Sequence, residues 1–194
     1  MNITLEPTTL TIVSQQRQRE ITERINAVLA RDPMQGFLFL GPPNTGKTTW
    51  MNRIHRATLD RQNQRPAERP NVLVHEPVTL AEWIRQTREW NCGRSRRAPV
   101  AAHDVRNLWK KRDCERHLFF DEIDTQPNYS DFSLSNLQEM INAVYECRER
   151  VRLVAAMNKS WNEFAGSVGE HVARRIEACC IKVDLFNTGR KEVA

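Results

Sequence analysis

Apolar residues gather along this chain in five short, continuous runs: Gly36–Leu40, Asn71–His75, His117–Asp121, Val151–Met157 and Cys180–Leu185. Continuous rather than alternating apolarity predicts parallel strands covered on both faces. Between the runs the spacing turns helical. Ile21, Ile25, Val28 and Leu29 recur at three- and four-residue intervals from Ser14, a capping residue, to about Arg31, where Asp32-Pro33 ends the helix. Further helices are predicted over Lys47–Gln64, Leu80–Trp90, His103–Arg112, Leu134–Arg148 and Glu170–Glu177. Residues 1–13 read as a strand or loose arm, Asn91–Ala102 (NCGRSRRAPVAA) as a basic loop and Thr125–Ser133 as a polar one. Strands alternating with helices predict an α/β fold: a five-stranded parallel sheet sandwiched by helices. Few residues follow Leu185, so no separate C-terminal lid domain is expected.

Composition narrows the class. At 194 residues with 40% apolar and 27% charged, the chain suits one ordinary globular domain and can bury a core. No apolar run reaches the roughly 18 residues of a membrane helix, and the first residues lack the apolar stretch of a signal peptide. A cytoplasmic protein is therefore expected, or one at the nucleoid or a viral replication site. The five cysteines show no CxxC spacing, which argues against a zinc site or a disulfide framework and for inert thiols. The five histidines have no metal-ligand spacing either. A formal charge of +5 is carried mostly by arginine, 23 against 6 lysines. Arginine makes forked phosphate contacts and stacks on bases, so the bias admits a nucleic-acid partner.

The strongest chemical signal is GPPNTGKT, Gly41 to Thr48, which follows an apolar strand and opens a helix. In that context GxxxxGK[ST] is a phosphate-binding loop. Gly41 and Gly46 let the backbone curl so that N–H groups along Pro42, Pro43, Asn44, Thr45, Gly46, Lys47, Thr48 and Thr49 surround phosphate oxygens where a donor is present. Lys47 neutralises the β- and γ-phosphates of ATP, and the Thr48 hydroxyl is a ligand for Mg²⁺. The strand HLFFDE then sets Asp121 to hold Mg²⁺ through water and Glu122 to deprotonate an attacking water. The stretch between Lys47 and Asp121 contains the predicted strand Asn71–His75, leaving room for an extra strand between the two motif strands. The fourth strand ends in Asn158, placed to hydrogen-bond the γ-phosphate or the water. Arg174 and Arg175 lie on the helix before the last strand, where a guanidinium can reach a neighbouring subunit's nucleotide. Arg190 can act in cis on the same nucleotide.

Together these residues resemble an AAA+ ATPase, and more narrowly the DnaC/IstB-like group of helicase loaders and transposition helper ATPases. The resemblance spans roughly residues 15–190 and rests on GPPNTGKT, VHEPVTLAEWIRQTR, FFDEID, LQEMINAVYECRERVRLVAAMNKS and VGEHVARRIEACCIKVDLF. It implies an N-terminal arm and helix over residues 1–35, an ATPase domain over 36–190 and a tail over 191–194. It also implies that Asn158 is the sensor asparagine, and that Arg175, just before Ile176, is the trans-acting arginine. At the acidic strand end the chain reads Asp121-Glu122-Ile123-Asp124 where the group usually has Asp-Asp, a spelling similar to origin-recognition initiators and clamp loaders.

The expected activity is hydrolysis of ATP to ADP and phosphate in a self-assembling ring or filament that acts on DNA or a DNA-bound helicase or transposase. Candidate DNA contacts are Arg94, Arg96, Arg97, Lys110, Lys111 and Arg112, with Trp83, Trp90 and Trp109 as stacking surfaces. A nucleotide-switched DNA scaffold or target-selection protein, in which hydrolysis only resets assembly, is the main alternative. A small-molecule kinase is the second, although it has less use for Glu122 and Asn158.

Overall fold

A computed structural model describes residues 15–63, 71–94, 105, 114–124 and 130–186. In chain order the elements are α1 (Gln15–Arg31), β1 (Gly36–Leu40), α2 (Lys47–Asn63), β2 (Asn71–Val74), β3 (Val78–Thr79) and α3 (Leu80–Asn91). There follow β4 (Cys114–Asp121), α4 (Asp131–Glu146), β5 (Val151–Met157), α5 (Trp161–Val168), α6 (Glu170–Cys179) and β6 (Cys180–Asp184).

All strand pairs are parallel, in the order β2-β4-β5-β1-β6. The five-stranded reading gains one strand, because the two-residue β3 pairs with β4 at Phe120 and Asp121, beyond the end of β2. Pro77, which has no N–H to donate, falls in the gap between β2 and β3 and accounts for the interruption. The strand that separates the phosphate-loop strand from the acidic one is β5; β2, which lies between them in sequence, sits at the sheet edge.

Alternate residues of each central strand feed two cores. Phe37, Phe39, Phe119, Val154 and Ala156 pack under Ile21, Ile25, Leu29, Trp50, Met51 and Ile54 of α1 and α2. Leu38, Leu40, Leu118, Phe120, Leu153 and Ala155 pack against α3, α4, α5 and α6 on the other face. Every residue of β1 and β5 is buried, which is why these strands carry no polar alternation.

Helix boundaries differ from expectation where a cap decides them. The Ser130 side chain accepts from the Ser133 N–H, so α4 starts one turn earlier than the apolar spacing suggests. The helix α5, unforeseen, is opened by a reciprocal cap between Ser160 and Glu163. The predicted helix His103–Arg112 lies outside the described residues except for Val105, which is buried. The arm 1–13 and the cap Ser14 lie outside them as well.

Opposite the motif-bearing edge, polar groups are buried near the start of β5. Arg152, with no exposure, donates to the Pro33 carbonyl at 3.1 Å and to the Thr58 hydroxyl, tying the α1–β1 corner to α2. Burial, with Arg61 nearby, lowers its pKa to about 9, still charged at neutral pH. His117 lies beside Arg152 in register and is 1% exposed. Burial first, then the Arg152 charge, lowers its pKa to about 4, against the opposing pull of Glu115.

Two outcomes follow from this packing. A Cβ at Gly36 would lie 2.5 Å from the Leu153 carbonyl and 2.6 Å from that of Cys179. Because backbone must move to admit it, Gly36→Ala should cost about 3 kcal/mol in urea unfolding. His117 stays neutral when folded while its unfolded counterpart takes a proton near pH 6.5, so its contribution is present above that value. It should be lost as pH falls from 6.5 towards 4, by about 3 kcal/mol. Unfolding curves of wild type and His117→Gln, which cannot titrate, should differ by that pH-dependent amount; parallel curves would refute it.

Candidate functional site

The carboxyl ends of β1, β4 and β5 lie side by side, and each leads into a polar segment. After β1 the chain leaves the sheet through Gly41, whose N–H donates to the Met157 carbonyl at the end of β5 (3.3 Å). On the other side the Leu185 N–H donates to Leu40 (2.6 Å), so the root of the loop is held by both neighbouring strands. A Cβ at Gly41 would sit 2.8 Å from the Thr45 hydroxyl and 3.0 Å from Leu185, so the close approach requires glycine. The loop turns through left-handed backbone at Asn44 (φ 66°) and Gly46 (φ 87°), conformations those two residue types tolerate best. The Thr45 hydroxyl closes it by donating to the Pro42 carbonyl at 2.8 Å.

Lys47, at the start of α2, is 6% exposed. Its ammonium donates to the carbonyls of Gly41 (2.7 Å) and Pro42 (2.6 Å). Burial holds its pKa below the ordinary lysine value, while the charges of Asp124, Asp121 and Glu122 pull the other way. Across from it the Thr48 hydroxyl donates to Asp121 Oδ2 at 2.8 Å. The structure thus joins the two predicted Mg²⁺ ligands. They form an oxygen pair suited to an ion that takes its other ligands from phosphate and water. Among the described residues no group of three His, Cys, Asp or Glu side chains could hold a metal alone.

Glu122 follows with φ 48°, a left-handed conformation unusual for glutamate, and its N–H is received by Asp121 Oδ1 at 3.0 Å. Its side chain is exposed. Asn158 caps the end of β5, half-buried, between the segments that carry Lys47 and Glu122.

One residue of this edge went unread in the sequence. Asp124, 2% exposed, receives the backbone N–H of Asn158 through Oδ2 at 2.7 Å and that of Lys159 at 2.5 Å. The DEID string signals acidity, but nothing local says that its last carboxylate folds inwards.

Arg175 is on α6, half-buried, with its guanidinium 5.4 Å from the centre of the Tyr145 ring on α4. Arg148 lies 4.9 Å from the same ring. The adjacent Arg174 is exposed and paired with Glu170. Of the basic contacts, Arg94 is exposed just beyond α3. Arg96, Arg97, Lys110, Lys111, Arg112 and Arg190 lie outside the described residues, as does Trp109. Trp83 is corrected from stacking surface to core: it is 4% exposed and meets Phe120 edge-on at 5.8 Å. Trp90 is 44% exposed.

No family model matches the sequence, and no characterised protein matches it by sequence. Solved structures match it by fold. The DnaC helicase loader superposes with a TM-score of 0.61 at 14% identity, over 92% of each chain. AMPPCP-bound DnaA from Aquifex aeolicus gives 0.60 at 15% identity, over 89% of this chain and 47% of that one. A DNA replication initiation factor gives 0.55 at 16% identity, over 93% of this chain and 50% of its own. The chain thus spans about half the length of the last two. Its helices on both faces of a parallel sheet, with the phosphate-loop and acidic strands separated by a third, are the fold of the AAA+ P-loop ATPases.

Proposed function

We propose that this chain binds ATP at the carboxyl edge of its sheet, hydrolyses it, and uses the cycle to assemble and act on DNA or a DNA-bound partner. The observation that carries the reading is the convergence of Lys47, the Thr48–Asp121 pair, Glu122 and Asn158 on one edge although they come from three strands. The parallel sheet has no structural need for five polar residues there, whereas phosphoryl transfer uses each of them.

In this reading Lys47 exchanges its carbonyl contacts for β- and γ-phosphate oxygens. The loop amides and the N-terminus of α2 surround the remaining charge. Thr48 and Asp121 would hold Mg²⁺, which would supply neutralising positive charge beside the triphosphate. Glu122 takes the proton from a water as that water attacks, and Asn158 orients the water or the γ-phosphate. Arg175 completes the site of an adjacent protomer, with the Tyr145 ring supporting its guanidinium until then. Arg190 serves the nucleotide in cis, and the loop Arg94, Arg96, Arg97 with Lys110 and Lys111 contacts nucleic acid. The fold, shared with a helicase loader and replication proteins, supports placing this activity in DNA replication.

Glu122→Gln should retain ATP binding and lower turnover by about 100-fold or more, whereas Lys47→Ala should lose the ATP-dependent rise in melting temperature. Unchanged phosphate release in the first variant would remove Glu122 from its role. Assembly on DNA that persists undiminished through both changes would favour a scaffold whose nucleotide is incidental.

Shared sites make activity depend on protein concentration. Arg175→Ala should lower turnover by about 100-fold or more while leaving nucleotide affinity nearly intact. Mixing it with Glu122→Gln should restore part of the lost activity, because each variant supplies what the other lacks. A mixture no more active than its components would place Arg175 outside the site.

A further inference from the structure

Asp124 is a nearly fully buried carboxylate for which neither the sheet nor the neighbouring helix has a need. Its Oδ2 receives two consecutive backbone N–H groups, those of Asn158 and Lys159. Its Oδ1 is buried as well and has no hydrogen-bond partner among the described residues. A carboxylate oxygen withdrawn from water without a partner is costly, so its retention calls for a reason beyond packing.

Capping α5 is not that reason. The N-terminus of α5 is already closed by Ser160 and Glu163 bonding one another's backbone. The Asp124 bonds fall before it, on the segment that leaves β5. The preceding residue makes a parallel link, its N–H donating from Ile123 to the Ala156 carbonyl at 2.9 Å. Glu122, in its left-handed conformation, stands immediately before these two anchors. The backbone carrying Glu122 is therefore pinned to the backbone carrying Asn158, first by Ile123 and then by the Asp124 carboxylate.

We propose that Asp124 is the positioning residue of this site: it fixes the strand tip that bears Asn158 against the turn that bears Glu122, so that the two act on the triphosphate at a set separation. The inference rests on the ATPase reading above and extends it to a residue that touches no substrate. The same carboxylate is the strongest of the three acidic charges that favour the charged form of Lys47. Its position in the sequence, three residues after Asp121, leaves room for the Glu122 turn.

The test compares Asp124→Ala, Asp124→Asn, Asn158→Ala and the Asp124→Ala/Asn158→Ala double variant. It reads amide hydrogen exchange at residues 158 and 159, affinity for a fluorescent ATP analogue, and kcat and KM for ATP. Asp124→Ala should speed exchange at both amides by about 10-fold or more and lower kcat by about 10-fold or more, with analogue affinity changed less than about threefold. Asp124→Asn keeps a carbonyl oxygen that can accept both N–H groups, so it should recover the protection and most of the turnover lost in the alanine variant. The double variant should be little slower than Asn158→Ala, because both changes disable one device.

Unchanged exchange at the two amides in Asp124→Ala overturns the proposal, as does a kcat loss that multiplies with that of Asn158→Ala. If the alanine variant does not fold, Asp124→Asn decides: lost turnover with wild-type exchange means that the charge, not the position, matters, and the proposal falls. Absence of ATP hydrolysis in the wild type would instead remove the ATPase reading and this extension with it, while wild-type exchange still reports whether the pin exists.

Discussion

Thr48 begins the second helix and Asp121 ends the fourth strand, yet a 2.8 Å hydrogen bond joins their side chains. That contact is possible only because β5 holds β1 and β4 at a fixed spacing, paired in parallel with both. Parallel pairing aligns carboxyl ends, and aligned carboxyl ends place the polar segments that follow each strand on one edge. Phosphate loop, acidic turn and asparagine tip are arranged by that single constraint. Shifting either pairing by one residue would turn the strand side chains to the opposite core and separate the motif residues.

The edge is built as a balance of charge around one buried ammonium. Lys47 is nearly buried, which disfavours its charged form, and three carboxylates from one short turn favour it. Strain accompanies this arrangement: Glu122 takes left-handed backbone, and one buried oxygen of Asp124 has no hydrogen-bond partner among the described residues. Such costs persist where the surrounding packing over-determines them, here through two extensive apolar layers. The opposite end of the sheet also buries charge, in Arg152, whose two terminal nitrogens reach Pro33 and Thr58, while its Nε has no hydrogen-bond partner among the described residues. At one end of the sheet the polar groups join elements together, and at the other they gather on the carboxyl edge.

Arg175 shows how position on a helix differs from readiness to act. Sequence placed it before an aliphatic residue on the last helix, while the structure sets its guanidinium against the Tyr145 ring and leaves Arg174 exposed beside Glu170. Two adjacent arginines on one helix cannot share a face, and the packing of α4 on α6 separates their environments.

What could be read from the chain itself was whatever local chemistry decides. The strands Gly36–Leu40 and Val151–Met157 were legible because both are buried on two faces and carry no polar residue to blur the pattern, Arg152 excepted. The phosphate loop was legible because its glycines answer to backbone conformation within eight residues. Other features depended on partners distant in sequence. The start of β4 at Cys114 comes from pairing with β2, and β3 exists only because Phe120 and Asp121 offer it an edge. Trp83 entered the core, not the surface, because Phe120 stands opposite it. Asp124 looked like one more surface acid until the fold brought Asn158 and Lys159, more than thirty positions away, within hydrogen-bond reach. Local sequence determined which segments could form strands, loops and caps. Only the packed sheet decided which of their polar ends would meet, since such contacts arise between residues that the chain keeps far apart.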